Sequence, residues 1–62
     1  MDLRTLLHPV VDYQKVTVVV GGACITAPSW ALFNSLADEV INKQVIEIVA
    51  EENVLKVWVK ND

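Results

Sequence analysis

Residues Val16 to Thr26 read Val-Thr-Val-Val-Val-Gly-Gly-Ala-Cys-Ile-Thr, a β-branched run broken by two adjacent glycines and resumed at once. β-Branched side chains fit a pleated, half-buried surface, and a glycine pair supplies the positive φ that a two-residue hairpin turn demands. The segment therefore reads as strand, tight turn and strand. With Gly21-Gly22 as the whole turn, Val20 faces Ala23. Alternation then puts Val16, Val18, Val20, Ala23 and Ile25 on one face and Lys15, Thr17, Val19, Cys24 and Thr26 on the other. The first face is uniformly apolar and must be covered, and that requirement shapes every other assignment.

The C-terminal end repeats the pattern. Val45 to Glu51 and Val54 to Lys60 are β-rich runs separated by Glu52-Asn53, with Asn53 able to take a positive φ. If Glu51 faces Val54, then Ile46, Ile48 and Ala50 share a face with Leu55, Val57 and Val59. An odd loop would send Lys56 toward the core, so an even loop is expected. Between the hairpins the period changes to about 3.6. Trp30, Phe33, Leu36, Ala37, Val40 and Ile41 form one broad stripe, with Asn34, Ser35, Asp38 and Glu39 opposite. This predicts a helix over about 28–42. Thr26 or Ser29 is placed to supply its N-cap oxygen, Pro28 suits its first turn, and Asn42 is a candidate left-handed C-terminal residue. Trp30 is expected to pack over the end of the sheet. The predicted fold is α+β, of ββαββ type: a four-stranded mixed or antiparallel sheet with one helix (about 28–42) packed on one face. If Ala23 to Thr26 lies beside Val45 to Glu51 those strands run parallel, with a right-handed crossover.

At 62 residues the chain is read as a single small domain, 1–62. Residues 1–12 are either an extended arm or a short helix, capped by Asp2 and ending before His8-Pro9. A domain of this size buries only about 60% of the surface its unfolded chain exposes, yet 53% of its residues are hydrophobic. Apolar side chains must therefore be left exposed or be covered by something else. The second sheet face is where this excess is expected, with Val19, Cys24, Val49, Val54 and Trp58 among Lys15, Thr17, Glu47, Glu51 and Lys56. Either the N-terminal segment or a second copy of the chain could cover it.

The chemistry-bearing residues are sparse. Cys24 is the single cysteine and excludes an internal disulfide; inside an apolar strand it reads as a small buried hydrophobe. His8, beside Pro9, reads as an exposed loop residue and has no orienting partner in the sequence. Asp38-Glu39 and Glu51-Glu52 are adjacent carboxylates that a helix or turn splays apart, so no metal site is assigned. The Gly-Gly turn lacks the spacing of a phosphate-binding loop, and no cofactor is implied. The net charge of −3 lies wholly in the C-terminal half, the wrong sign for nucleic-acid backbone and too dilute for a mimic of it. No run is long enough for a signal peptide or a membrane span. The reading that remains is a cytoplasmic, acidic, non-catalytic protein-binding module, a homodimer or an accessory subunit of a larger partner. Its partners are itself or another protein, with no nucleic acid and no membrane. Trp58, Val49, Val54 and Val19 are its contact residues, and tryptophan is a frequent energetic anchor of such contacts. The alternative is a small-molecule pocket near the helix N-terminus, lined by Trp30 and the Thr26–Ser29 turn.

Overall fold

A computed structural model describes residues 1–61. In chain order the elements are α1 (Leu3–Leu7), β1 (Lys15–Val20), β2 (Ala23–Pro28), α2 (Ser29–Ser35), α3 (Asp38–Ile41), β3 (Val45–Glu51) and β4 (Val54–Val59). The four strands form one mixed sheet in the order β2-β1-β4-β3. Each hairpin is antiparallel and the two meet through a parallel β1–β4 pair, with Val16 beside Leu55 and Val18 beside Val57. The α+β class, the four strands and the mixed sheet agree with the sequence reading. The hairpins, however, join through β1 and β4, so β2 and β3 are the two edges and are not neighbours.

Both turns fix their registers as expected. Val20 pairs with Ala23, and Gly21 alone of the two glycines has positive φ, at 59°, the pattern of a type II′ turn with glycine at its first central position. Glu51 pairs with Val54 across Glu52-Asn53, where Asn53 takes φ 57°. One irregularity changes the assignment of faces in β3. Val45 pairs with Val59 and Glu47 with Trp58, so a bulge leaves Ile46 unpaired. One extra residue inverts the alternation before it. Val45 thus joins the core side in place of Ile46, which is 64% exposed.

The expected single helix is interrupted. Leu36 and Ala37 are extended, with ψ of 140° and 149°, and they separate α2 from α3. The Asn34 side chain donates to the Trp30 carbonyl at 2.8 Å within α2, and α2 closes on the bond from the Leu36 N–H to the Leu32 carbonyl. Asp38 and Glu39 then lie in the first turn of α3, where the helix dipole favours negative charge. Pro28 is the N-cap residue of α2, with no side-chain cap from Thr26 or Ser29. Asn42 ends α3 at φ −95°, outside the left-handed region.

The N-terminal segment is helical. Asp2 caps α1 by accepting the Thr5 N–H at 2.8 Å. Hydrogen bonding from Thr5, side chain and backbone, holds the Asp2 carboxyl below its ordinary pKa. Spacing of four places Leu3 and Leu7 on one side of α1, and both are buried. The Met1 carbonyl accepts the Val45 N–H and the Lys43 carbonyl accepts the Leu3 N–H, which ties the segment to the start of β3. An exposed Arg4–Asp38 ion pair of 3.7 Å links α1 to α3. The core is Leu3, Leu7, Leu32 and Ile41 from the helices against Val16, Val18, Val57 and Val59 from the central strands. All three helices therefore contribute to the same side of the sheet.

Candidate functional site

The registers place every side chain of the other sheet face. Reading across β2, β1, β4 and β3, one row is Cys24, Val19, Trp58 and Glu47; the next is Thr26, Thr17, Lys56 and Val49; the third is Pro28, Lys15, Val54 and Glu51. Val19, Val49, Val54 and Trp58, the four contact residues expected from sequence, are thus brought onto one surface, with Val19 directly beside Trp58. Each is partly exposed, and none belongs to the core cluster or packs against it. Residues 1–12 do not cover this face, because Leu3 and Leu7 are used on the other side. The openness is not a symptom of loose folding. The accessible surface is 3997 Å², and folded monomers of 62 residues expose about 4,000 Å².

The polar groups of this face are ordered among themselves. The Thr17 and Thr26 hydroxyls are 2.9 Å apart, and the Lys56 ammonium lies 5.2 Å from the centre of the Trp58 ring, within cation–π range. Lysines occupy the two central strands, glutamates occupy β3, and β2 carries no charge. Cys24 is exposed here, which corrects its expected burial: its strand is an edge, and its face is the uncovered one.

A second feature lies at the N-terminus of α2. Leu7, His8, Asp12, Ser29, Trp30, Phe33 and Asn34 line a half-open cleft of about 240 Å³ between α1, the following loop and α2. His8 meets the Phe33 ring edge-on, with centroids 6.1 Å apart, and the Arg4 guanidinium is 5.9 Å from the centre of the same ring. Trp30 is 54% exposed and does not pack over the sheet as expected. The start of α2 is tied instead to the loop of residues 12–14: the Ser29 N–H donates to the Gln14 carbonyl at 2.8 Å and the Trp30 N–H to the Asp12 carbonyl at 3.0 Å. The first backbone donors of α2 are thereby committed to the protein's own acceptors and cannot cradle a phosphate. Only Trp30 and Ser29 of the pocket residues expected from sequence line the cleft. His8, Asp12 and Phe33 were missed because the helical conformation of residues 3–7, which brings that loop alongside α2, is one of two readings the sequence leaves open.

Among the described residues no three His, Cys, Asp or Glu side chains group as metal ligands, and no helix is long and apolar enough to cross a membrane. No protein-family model, curated protein or solved structure matches the chain.

Proposed function

We propose that the chain is a small non-catalytic protein-interaction module, acting as a homodimer or as an accessory subunit of a larger partner, with the open sheet face as its docking surface. The observation that carries this reading is the uncovered group of Val19, Trp58, Val49 and Val54, set among Lys15, Lys56, Glu47 and Glu51, in an otherwise compact fold. Apolar and charged groups mixed on one surface suit a non-obligate contact, which as a whole is about as apolar as the rest of a protein's surface, and a half-buried tryptophan is a favoured anchor. The exposed thiol of Cys24 suits the reducing cytoplasm, where we place this activity. The test is a Trp58→Ala/Val54→Ser variant, compared with wild type by sedimentation and by affinity capture after matched thermal melts. Loss of partner capture, or a drop in the number of associated copies, with the fold retained is the expected result. Equal capture and equal copy number for both proteins, or a wild type that is strictly monomeric at high micromolar concentration and captures nothing, would sink the proposal.

The cleft beside Trp30 favours a second reading, a site for a small planar or aromatic molecule between Trp30 and Phe33. Thermal shift against a metabolite panel separates the two, because only a ligand site predicts stabilisation by one compound and not its neighbours. Trp30→Ala should abolish that stabilisation while leaving protein association intact.

A further inference from the structure

The two edges of the sheet are built differently. The β3 edge carries Glu47 and Glu51 and the bulge at Ile46, devices that discourage another strand from adding there. The β2 edge, Ala23–Pro28, carries no charge, and its pairing with β1 runs without a register shift. Its hydrogen-bonding capacity can be read from the hairpin. In a two-residue hairpin the residues flanking the turn, here Val20 and Ala23, form a hydrogen-bonded pair, and such pairs then alternate with non-bonded ones. Ala23, Ile25 and Ala27 therefore bond inward to β1, while the backbone groups of Cys24, Thr26 and Pro28 point away from the sheet. The Thr17–Thr26 hydroxyl contact of 2.9 Å agrees, because side chains approach most closely at non-bonded pairs. Pro28 has no N–H, and as N-cap of α2 its carbonyl serves the helix. Cys24 and Thr26 are left as the outward-bonding residues of the edge.

We infer that two copies of this chain pair antiparallel through β2, with Ile25 on the twofold axis, to form a continuous eight-stranded sheet. The register follows from matching. Side chains must stay on their own faces, so even-numbered residues meet even-numbered ones. Centring on Ile25 sets Cys24 against Thr26 of the second copy and makes four backbone hydrogen bonds. Centring on Thr26 sets Cys24 against Pro28 and leaves two, and centring on Cys24 sets Thr26 against the turn and also leaves two. The occupant is a second copy because the edge complements itself under a twofold rotation, and because this arrangement keeps the acidic β3 strands at opposite ends of a sheet about 34 Å wide. Pairing of β2 with β3 of another copy would build an open filament, which the bulge and the glutamates oppose. The dimer leaves the open face free, so it stands independently of the docking proposed there.

Cysteine crosslinking tests the register. Wild-type chain, which carries Cys24, is mixed with a Cys24→Ala/Thr26→Cys chain under mild oxidation. The expected result is a disulfide-linked pair in the mixture and in neither protein alone, because only the 24–26 pairing brings Cα atoms within bonding range. Crosslinking of either protein alone would overturn the register and the inference with it. So would the absence of any crosslink together with a monomeric sedimentation coefficient at high micromolar concentration. A second variant, Thr26→Pro, removes an outward N–H that β1 does not use. It is expected to keep the circular dichroism spectrum and convert dimer to monomer, and a folded Thr26→Pro dimer would refute the edge pairing. Loss of partner capture by the Trp58 variant, with the crosslink unchanged, would separate the two surfaces.

Discussion

Val18 and Val19 are chain neighbours of identical chemistry, and Val57 and Trp58 are neighbours that are both largely apolar, yet Val18 and Val57 are fully buried while Val19 and Trp58 lie on the open face. The alternation that closes one side of this sheet supplies almost as much apolar surface to the other. What separates the sides is the placement of three short helices. α1 spans only five residues, yet gives two of them, Leu3 and Leu7, to the core. A small domain of this kind has helical surface to cover one face and no more.

The sharpest way to break this asymmetry is to hollow the covered side. Leu3→Ala should destabilise by roughly 2–5 kcal/mol. A domain of 62 residues has about 3–9 kcal/mol in total, so denaturant titration should find the variant partly or wholly unfolded. Next come paired substitutions of the two neighbouring valines. Val18→Thr buries a hydroxyl and should cost about 1–3 kcal/mol, whereas Val19→Thr should change stability by no more than about 0.5 kcal/mol. Equal costs would mean that the second face is covered after all.

The turn that assigns residues to faces gives a third test. Gly21→Ala must hold an L-residue at φ 59° with its Cβ 3.1 Å from Asn61 Oδ1, and should lose about 1–2 kcal/mol. Gly22→Ala, with open space at its Cβ and no positive φ, should be neutral or slightly stabilising in the same thermal melts. The smallest effect concerns the cap of α1. The Asp2 carboxyl titrates lower in the folded chain than in the unfolded one. Its contribution is therefore complete above the unfolded pKa of about 4 and is lost as pH falls through the lower folded value. Asp2→Asn keeps the cap acceptor and removes the charge, so its melting temperature should fall less steeply than wild type below pH about 4.

Much of this architecture was legible because period-two patterns with glycine or asparagine turns fix strand pairing locally: the Val20–Ala23 and Glu51–Val54 pairs, and the assignment of Val19, Val49, Val54 and Trp58 to the second face, follow from alternation alone. What was not legible depends on competition between nearly equal alternatives. The bulge at Ile46 exchanges one β-branched residue for another, Val45, in the core, and hydrophobicity hardly distinguishes them. The break at Leu36-Ala37 falls on two good helix formers inside the apolar stripe, where neither propensity nor periodicity marks a stop. The parallel β1–β4 join is a choice of which hairpin edges meet, on which the register of either hairpin is silent. Trp30 belongs to the helical stripe by periodicity, but the first turn of α2, tied through its backbone to Asp12 and Gln14, leaves it 54% exposed.

The parallel pairing of β1 with β4 also sets an order in time. Val16 finds its partner Leu55 only 39 positions later in the chain, and the core valines of both central strands need each other and α1 to be shielded from water. During synthesis the first hairpin can close locally within microseconds, but it has no core to hold it until β4 is made. Contacts of such long sequence separation slow folding. Until they form, β1 presents its own unpaired edge and an uncovered row of valines, so the chain's most aggregation-prone moment is the interval between making its first strand and its last.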